Sequence, residues 1–261
     1  MKFTHFKSHY PSADGIHQIE FSVYFPVGEV KGIIQIAHGM CDYFERYAGF
    51  AKYLTSLGFA VCGNDHLGHG GSVNSDDEFG WFSEKEGWEN AVSDMYTLTR
   101  IMKKSYPDLP YFLIGHSMGS FLSRAYVTKC GKMLDGAVFM GTSGGIDGIP
   151  ELLAFIDLLK KIHGGNYRSK IINKMVFGAY NAKLRTEETI MTGYQGTTML
   201  PTDLPPTRDA VLFSLLTVLK TLQRCCGTFQ MTSGMKLILK RCLPIFCPEV
   251  KTLWAITEKA Y

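Results

Sequence analysis

The chain runs out of histidine early. All eight histidines (His5, His9, His17, His38, His66, His69, His116 and His163) fall in the first 163 of 261 residues. A general base drawn from the C-terminal part therefore lacks its usual side chain there. Cysteine is sparse too: seven residues, an odd count, and no C-x-x-C pair. That makes a disulfide framework and a zinc framework both poor readings, and a reduced, cytoplasmic protein is expected. No long basic block occurs, since the net +3 comes from interspersed residues, so nucleic acid is not an expected partner. No apolar run approaches the length of a membrane span, and Met1-Lys2-Phe3-Thr4-His5-Phe6 lacks the apolar centre of a signal peptide. What is present is a 46% hydrophobic chain, enough for one large α/β domain with room for an inserted cap.

The chain is organised around Gly115-His116-Ser117-Met118-Gly119. Tyr111-Phe112-Leu113-Ile114 before it reads as a buried strand, and Phe121 to Val127 after it as a helix. Strand, glycine-flanked serine and helix make a G-x-S-x-G nucleophile elbow. A serine hydroxyl is a weak nucleophile, so it must stand on a sharp turn within reach of a base. Side chains at the two glycines would collide with neighbouring strand and helix. The following helix aims backbone N–H groups and partial positive charge at a developing oxyanion.

Taken in order, Ser12-Ala13-Asp14-Gly15 is a turn, and Ile19 to Phe25 alternates as a half-buried strand. Ile33 to Ala37 is a second strand, running into His38-Gly39-Met40. Glu45 to Leu57 has helical period, with Tyr47, Phe50, Ala51 and Leu54 on one face, and Gly58 ends it. Phe59 to Gly63 is a third strand. It leads to Asp65-His66-Leu67-Gly68-His69-Gly70-Gly71-Ser72, where an aspartate and two histidines could suggest a metal site. The glycines between them point instead to a tight loop with internal hydrogen bonds, so no metal is expected. His38 reads as a loop histidine that orders its neighbours. Trp88 to Lys104 is the next helix, Pro107 and Pro110 bracket the turn into the elbow strand, and Ala137 to Gly141 is the strand after it. Alternating strands and helices imply a mostly parallel sheet with helices on both faces.

From about Ser12 to Gly144 the chain resembles the monoacylglycerol lipase and lysophospholipase group of α/β-hydrolases, also grouped with the serine aminopeptidases. The residues that carry the resemblance are Gln35-Ile36-Ala37-His38-Gly39-Met40, Glu45-Arg46-Tyr47, Asn64 to Gly70, Gly115 to Ser120, and Gly141-Thr142-Ser143-Gly144. It implies the α/β-hydrolase fold and a serine esterase without cofactor, acting on a small lipid-like ester, with Ser117 as nucleophile. It also implies an oxyanion hole from the backbone N–H groups of Met40 and Met118. A helical cap should follow the fifth matching strand. Ile149 to Leu184 fits it, with an apolar stripe of Leu152, Leu153, Phe155, Ile156 and Leu159, then Met175, Val176 and Phe177. Phe177-Gly178-Ala179-Tyr180-Asn181 shares the family likeness, and such a cap could touch a membrane surface transiently. The expected division is a hydrolase core over 1–145, a cap over 146–188 and a tail over 189–261.

After about Glu188 the resemblance stops. The family order is nucleophile, acid, histidine. Residues 189–261 contain no histidine and no strand ending in Ser-Gly-x-x-Asp-Pro, so neither a triad acid nor a triad histidine is identified. Four of the seven cysteines crowd there, at Cys225, Cys226, Cys242 and Cys247. Regrouping each degenerate codon's last base with the next codon's first two gives a testable account. Phe246 to Lys259 then permits Leu-Ser-Gly-Gly-Glu-Asp-Pro-Val-Gly-Asn-Asn-Gly-Lys-Gly, which resembles the family's acid loop. The Trp254–Ala255 junction forces one of those glycines, and the Lys251–Thr252 junction allows only Asp or Asn. In the same frame Met191 to Thr197 permits Asp-Trp-Leu-Ser-Arg-Asp, and Pro206 to Leu212 permits Asp-Pro-x-Cys-Gly-Phe. Three family-like stretches in one frame lead to the expectation of a reading-frame slip near Glu188. Two functions follow: a serine hydrolase working through an acyl-Ser117 intermediate, or a truncated or frameshifted hydrolase-like chain that is catalytically dead.

Overall fold

The computed structural model describes residues 2–142 and 149–164, together with Tyr167, Ser169, Ile171 and Ile172. The element order is β1 (Phe3–Pro11), β2 (Gln18–Pro26), β3 (Gly32–Ala37), α1 (Ala48–Ser56), β4 (Phe59–Asn64), α2 (Gly87–Ser105), β5 (Tyr111–His116), α3 (Met118–Cys130), β6 (Gly136–Met140) and α4 (Ile149–His163). Among the described residues six strands form one sheet in the order β1-β2-β4-β3-β5-β6. β1 and β2 pair antiparallel, as do β2 and β4, while β4, β3, β5 and β6 run parallel. This is the α/β-hydrolase architecture, and it places the C-terminal ends of β3 and β5 side by side, with Ala37 opposite Gly115.

Strand periodicity sorts the core into two layers. On one face Ile33, Ala37, Cys62, Tyr111 and Leu113 pack with Ala91, Met95 and Leu98 of α2 and Leu122 and Tyr126 of α3. On the other, Ile34, Ile36, Val61, Phe112 and Ile114 pack with Phe44 and with Ala51 and Leu54 of α1. Gln35 is the polar exception in β3, 1% exposed. Its amide donates to Met95 O (3.1 Å), and its oxygen accepts from the Thr99 and Tyr111 hydroxyls (2.8 and 2.6 Å). Both ends of the amide are satisfied, so its burial is tolerated.

Two expectations need correction. The segment read as one helix over 45–57 is a 3-10 turn, Phe44–Tyr47, followed by α1. A 3-10 turn advances three residues per turn rather than 3.6, so the phase counted from Glu45 slips. Phe50 is consequently 42% exposed, and Thr55 takes the inward place beside Ala51 and Leu54. In α4 the apolar stripe is narrower than expected: Leu153 and Ile156 are buried, but Phe155 is exposed along with Leu158 and Ile162. β1 was not anticipated, because its residues are almost all exposed and carry no alternation. Ser143, Gly144, Met175 to Asn181 and the whole of 189–261 lie outside the described residues.

Candidate active site

Ser117 sits between β5 and α3 with φ +50° and ψ −118°. Positive φ is costly for a residue with a side chain, and such strain persists only where the surroundings over-determine it. Those surroundings are visible. The Ser117 N–H donates to Met140 O at the end of β6 (2.8 Å), and Ser117 O accepts from both the N–H and the hydroxyl of Ser120 (2.9 and 2.6 Å). A Cβ on Gly115 would strike the Ser123 hydroxyl and the Gly119 backbone, and one on Gly119 would strike the Ala37 and His38 carbonyls. Both glycines are thus required by close approach, as the elbow reading expects. The second collision also shows that the end of β3 packs directly on the first turn of α3.

The His38-Gly39-Met40 loop leaves β3 at that contact. His38 is fully buried, its ring 4.2 Å from that of His66 and 5.3 Å from that of His69. Its Nε2 accepts from the His66 N–H (2.9 Å), and its Nδ1 bonds to Gly39 O (2.7 Å). The 65–72 loop is held from within. Asp65 accepts from the N–H groups of Phe44 and Gly71, both at 2.8 Å. The Ser72 hydroxyl donates to Asp65 O (2.7 Å), and His69 Nδ1 bonds to Leu67 O (2.9 Å). Burial raises the Asp65 carboxyl and pushes the His66 imidazole well down and that of His69 down to about 3. Internal hydrogen bonding is the role these residues show.

A second polar cluster, not anticipated from the sequence, borders the elbow. Arg46 Nε pairs with Asp42 Oδ1 (3.0 Å), and the Tyr47 hydroxyl donates to Asp42 Oδ2 (2.9 Å). The same Tyr47 oxygen lies 2.8 Å from His116 Nδ1, which must be the donor. Burial lowers the His116 imidazole, opposed by the Asp42 charge. Asp42 to Tyr47 is an i, i+5 pair on an irregular turn, so no periodicity marked it. The remaining histidines have structural partners: His5 with Glu45, His9 with Glu20, His17 with Asp14 and Glu78, and His163 stacked on Tyr167.

Among the described residues no cluster of three His, Cys, Asp or Glu side chains could hold a metal ion, and no helix is long and apolar enough to cross a membrane.

Residues 28–182 match the family described as "Serine aminopeptidase, S33". Monoglyceride lipase of Homo sapiens is 36% identical over 123 residues, covering 44% of this chain and 36% of that protein. Monoacylglycerol lipase of Mycolicibacterium smegmatis is 30% identical over 150 residues, 57% of this chain and 51% of that one. The chain therefore spans about a third to a half of the length of these relatives. Among solved structures, a thermostable carboxyl esterase from Bacillus coagulans in complex with glycerol superposes with a TM-score of 0.70 at 25% identity. That superposition covers 85% of this chain and 73% of the esterase. A soluble variant of monoglyceride lipase from Saccharomyces cerevisiae shares the fold, with a TM-score of 0.53 at 16% identity over 86% of this chain and 70% of that one. With more than half of its length matched and the elbow in place, the chain belongs to the serine aminopeptidase S33 family of α/β-hydrolases.

Proposed function

We propose that Ser117 is the acyl-accepting nucleophile of a monoacylglycerol lipase or lysophospholipase-type site that cleaves lipid-like carboxylic esters. The single observation that carries this reading is the strained turn at Ser117, φ +50°, wedged by Gly115 and Gly119 within the family match. In the proposed reaction the Ser117 hydroxyl adds to the ester carbonyl, and the oxygen takes negative charge facing the N–H groups of Met40 and Met118. The alcohol then leaves, and water releases the acid from the acyl-serine. α4 belongs to the cap expected over 146–188, and its apolar residues line the acyl chain and touch a lipid surface in passing. The reaction needs no cofactor and takes place in the cytoplasm.

The step that needs a base is the transfer of the Ser117 proton to the leaving alcohol. No histidine follows His163, and that observation supports a second reading in which the 261-residue chain is catalytically silent because of a frame slip near Glu188. One experiment separates the two readings. The 261-residue chain, and a version with the frame restored after Glu188 and extended to its natural stop, are assayed with a monoacylglycerol and with a fluorophosphonate probe. Loss of a triad member costs on the order of a million-fold in rate. We expect no turnover and no labelling for the first, both for the second, and neither after Ser117→Ala in the second. Labelling of the 261-residue chain at Ser117 would overturn the silent reading. A restored version that turns over without Ser117 would overturn the nucleophile assignment.

A further inference from the structure

The Gly39–Met40 peptide is one rigid plane with two ends. Its carbonyl is Gly39 O and its N–H belongs to Met40, and in a trans peptide the two point in opposite directions. The described residues contain no cis peptide bond. Whatever fixes the Gly39 carbonyl therefore aims the Met40 N–H. The group that fixes it is the His38 ring, through the 2.7 Å contact of Nδ1 with Gly39 O.

The direction of that bond follows from the other side of the ring. His38 Nε2 faces the His66 N–H at 2.9 Å, and a backbone N–H can only donate. Nε2 must therefore present its lone pair, and the ring's proton is on Nδ1, where it donates to Gly39 O. The opposite tautomer would set two donors against each other at Nε2 and two acceptors at Nδ1. A ring carrying both protons would keep the clash at His66. The ring has no room to turn: it is fully buried, with the His66 and His69 rings beside it and His69 itself bonded to Leu67 O. The 65–72 loop is thus a brace. It carries the His66 N–H on a frame fixed by Asp65 and Ser72, the His66 N–H sets the His38 tautomer, and the tautomer sets the peptide plane.

We propose that His38 is the positioning residue of the oxyanion loop, locking the Gly39–Met40 peptide through Nδ1–H so that the Met40 N–H faces the elbow. This rests on the reading of Met40 as an oxyanion donor. His38 touches no reacting atom and acts through the peptide. The 65–72 histidine loop, which looks like chemistry in the sequence, serves as the support of that donor.

Two substitutions split the ring's two bonds. The amide of His38→Asn overlays Nδ1 and can still donate to Gly39 O. The amide of His38→Gln overlays Nε2, and its oxygen can still accept from His66 but leaves Gly39 O without its donor. In the isotope-labelled full chain, nitrogen-resolved NMR should show His38 as the Nδ1–H tautomer. The Met40 amide resonance should stay near its wild-type position in His38→Asn and move in His38→Gln, and the His66 amide should do the reverse. An Nε2–H or doubly protonated ring, or a Met40 amide that moves no more in His38→Gln than in His38→Asn, would overturn the proposal whether or not Ser117 reacts. The second arm measures fluorophosphonate labelling of the frame-restored version. Losing one oxyanion donor costs about a hundredfold or more, so a misaligned one should slow His38→Gln by at least about tenfold, with His38→Asn restoring most of the rate. Equal rates for the two variants would refute the positioning role. A wild-type restored version that does not label would refute the nucleophile reading and leave the NMR result to decide the lock.

Discussion

The histidines of the 65–72 loop and the histidine beside Ser117 share a side chain and differ in circumstance. His66 and His69 are sealed in the core, and burial holds both rings far below the ordinary imidazole range. His116 is only half buried, its Nδ1 bonded to the Tyr47 hydroxyl that in turn bonds to Asp42. The first set is framed by the Asn64 amide at His66 and the Leu67 carbonyl at His69, groups that cannot change protonation. The second is framed by side chains that can. A cluster of titratable residues is therefore a poor guide to where chemistry sits. The better guide is backbone strain beside a half-exposed hydroxyl, and that is found at Ser117.

The comparison breaks first at the contact between the two regions. Gly119 of the elbow lies against the carbonyls of Ala37 and His38, so Gly119→Ala forces the oxyanion loop and α3 apart. Overpacking against fixed backbone costs about 3 kcal/mol. Gly131→Ala is the control, because Gly131 has φ −57° and a Cβ there would meet only Val127 Cγ1 at 3.4 Å. Its effect should stay within about 1 kcal/mol of zero, with a stabilising sign if unfolded-chain entropy dominates. Urea unfolding of both variants checks this. Equal midpoints would mean that the elbow and the oxyanion loop are not in hard contact.

Much of this was legible in the sequence, and the reasons are local. β2 to β6, α2 and α3 announce themselves because their apolar residues repeat at the strand or helix period and glycine or proline closes each one. The elbow was legible because two glycines and a serine at fixed spacing have a steric cause that the collisions at Gly115 and Gly119 bear out. What failed was phase and distance. Phe50 was misplaced because a 3-10 turn precedes α1, and β1 went unread because an exposed edge strand has no buried face to set a pattern. The Asp42–Tyr47–His116 chain joins residues 69 positions apart, and no spacing rule reaches that far. The roles of His38 and the 65–72 loop were legible only in outline, since the ring's partners are backbone atoms that no residue type reveals.

Acid sharpens the comparison next. For a histidine whose folded pKa is depressed, the unfolded chain takes up a proton near pH 6.5 that the folded chain refuses. Stability is then fully present above pH 6.5 and declines as the pH falls toward about 3, where His69 at last accepts a proton. Each such histidine contributes a slope on the order of 1 kcal/mol per pH unit over that window. Asp94 opposes it. Burial holds its carboxyl up at about 7, so its contribution falls as pH rises from the ordinary carboxylate range toward 7. Comparing wild type with His69→Asn isolates the histidine term, because the asparagine amide can still donate to Leu67 O and Asp94 is common to both. The variant should lose less stability than wild type between pH 7 and pH 4.5. Parallel curves would mean that His69 is not sealed.

The smallest effect belongs to the elbow-side cluster, and it tests whether that cluster is electrically coupled. His116 lies below the ordinary imidazole value because burial outweighs the attraction of the Asp42 carboxylate. Removing that charge with Asp42→Asn should therefore lower the His116 pKa further, read from its ring resonances in an NMR titration. Tyr47→Phe removes a hydrogen bond but no charge. The Nδ1 proton is present in both the imidazolium and this neutral tautomer, so the loss weakens both states and the His116 pKa should move less than in Asp42→Asn. Its cost appears instead in stability, at about 1 kcal/mol for the bonds it breaks, and a melting curve measures it. The two variants should thus separate: one moves the titration, the other the melting temperature. If Asp42→Asn raises the His116 pKa or leaves it in place, the carboxylate is not coupled to the ring. His116 would then belong with the sealed histidines, and the contrast between the two sets would rest on exposure alone.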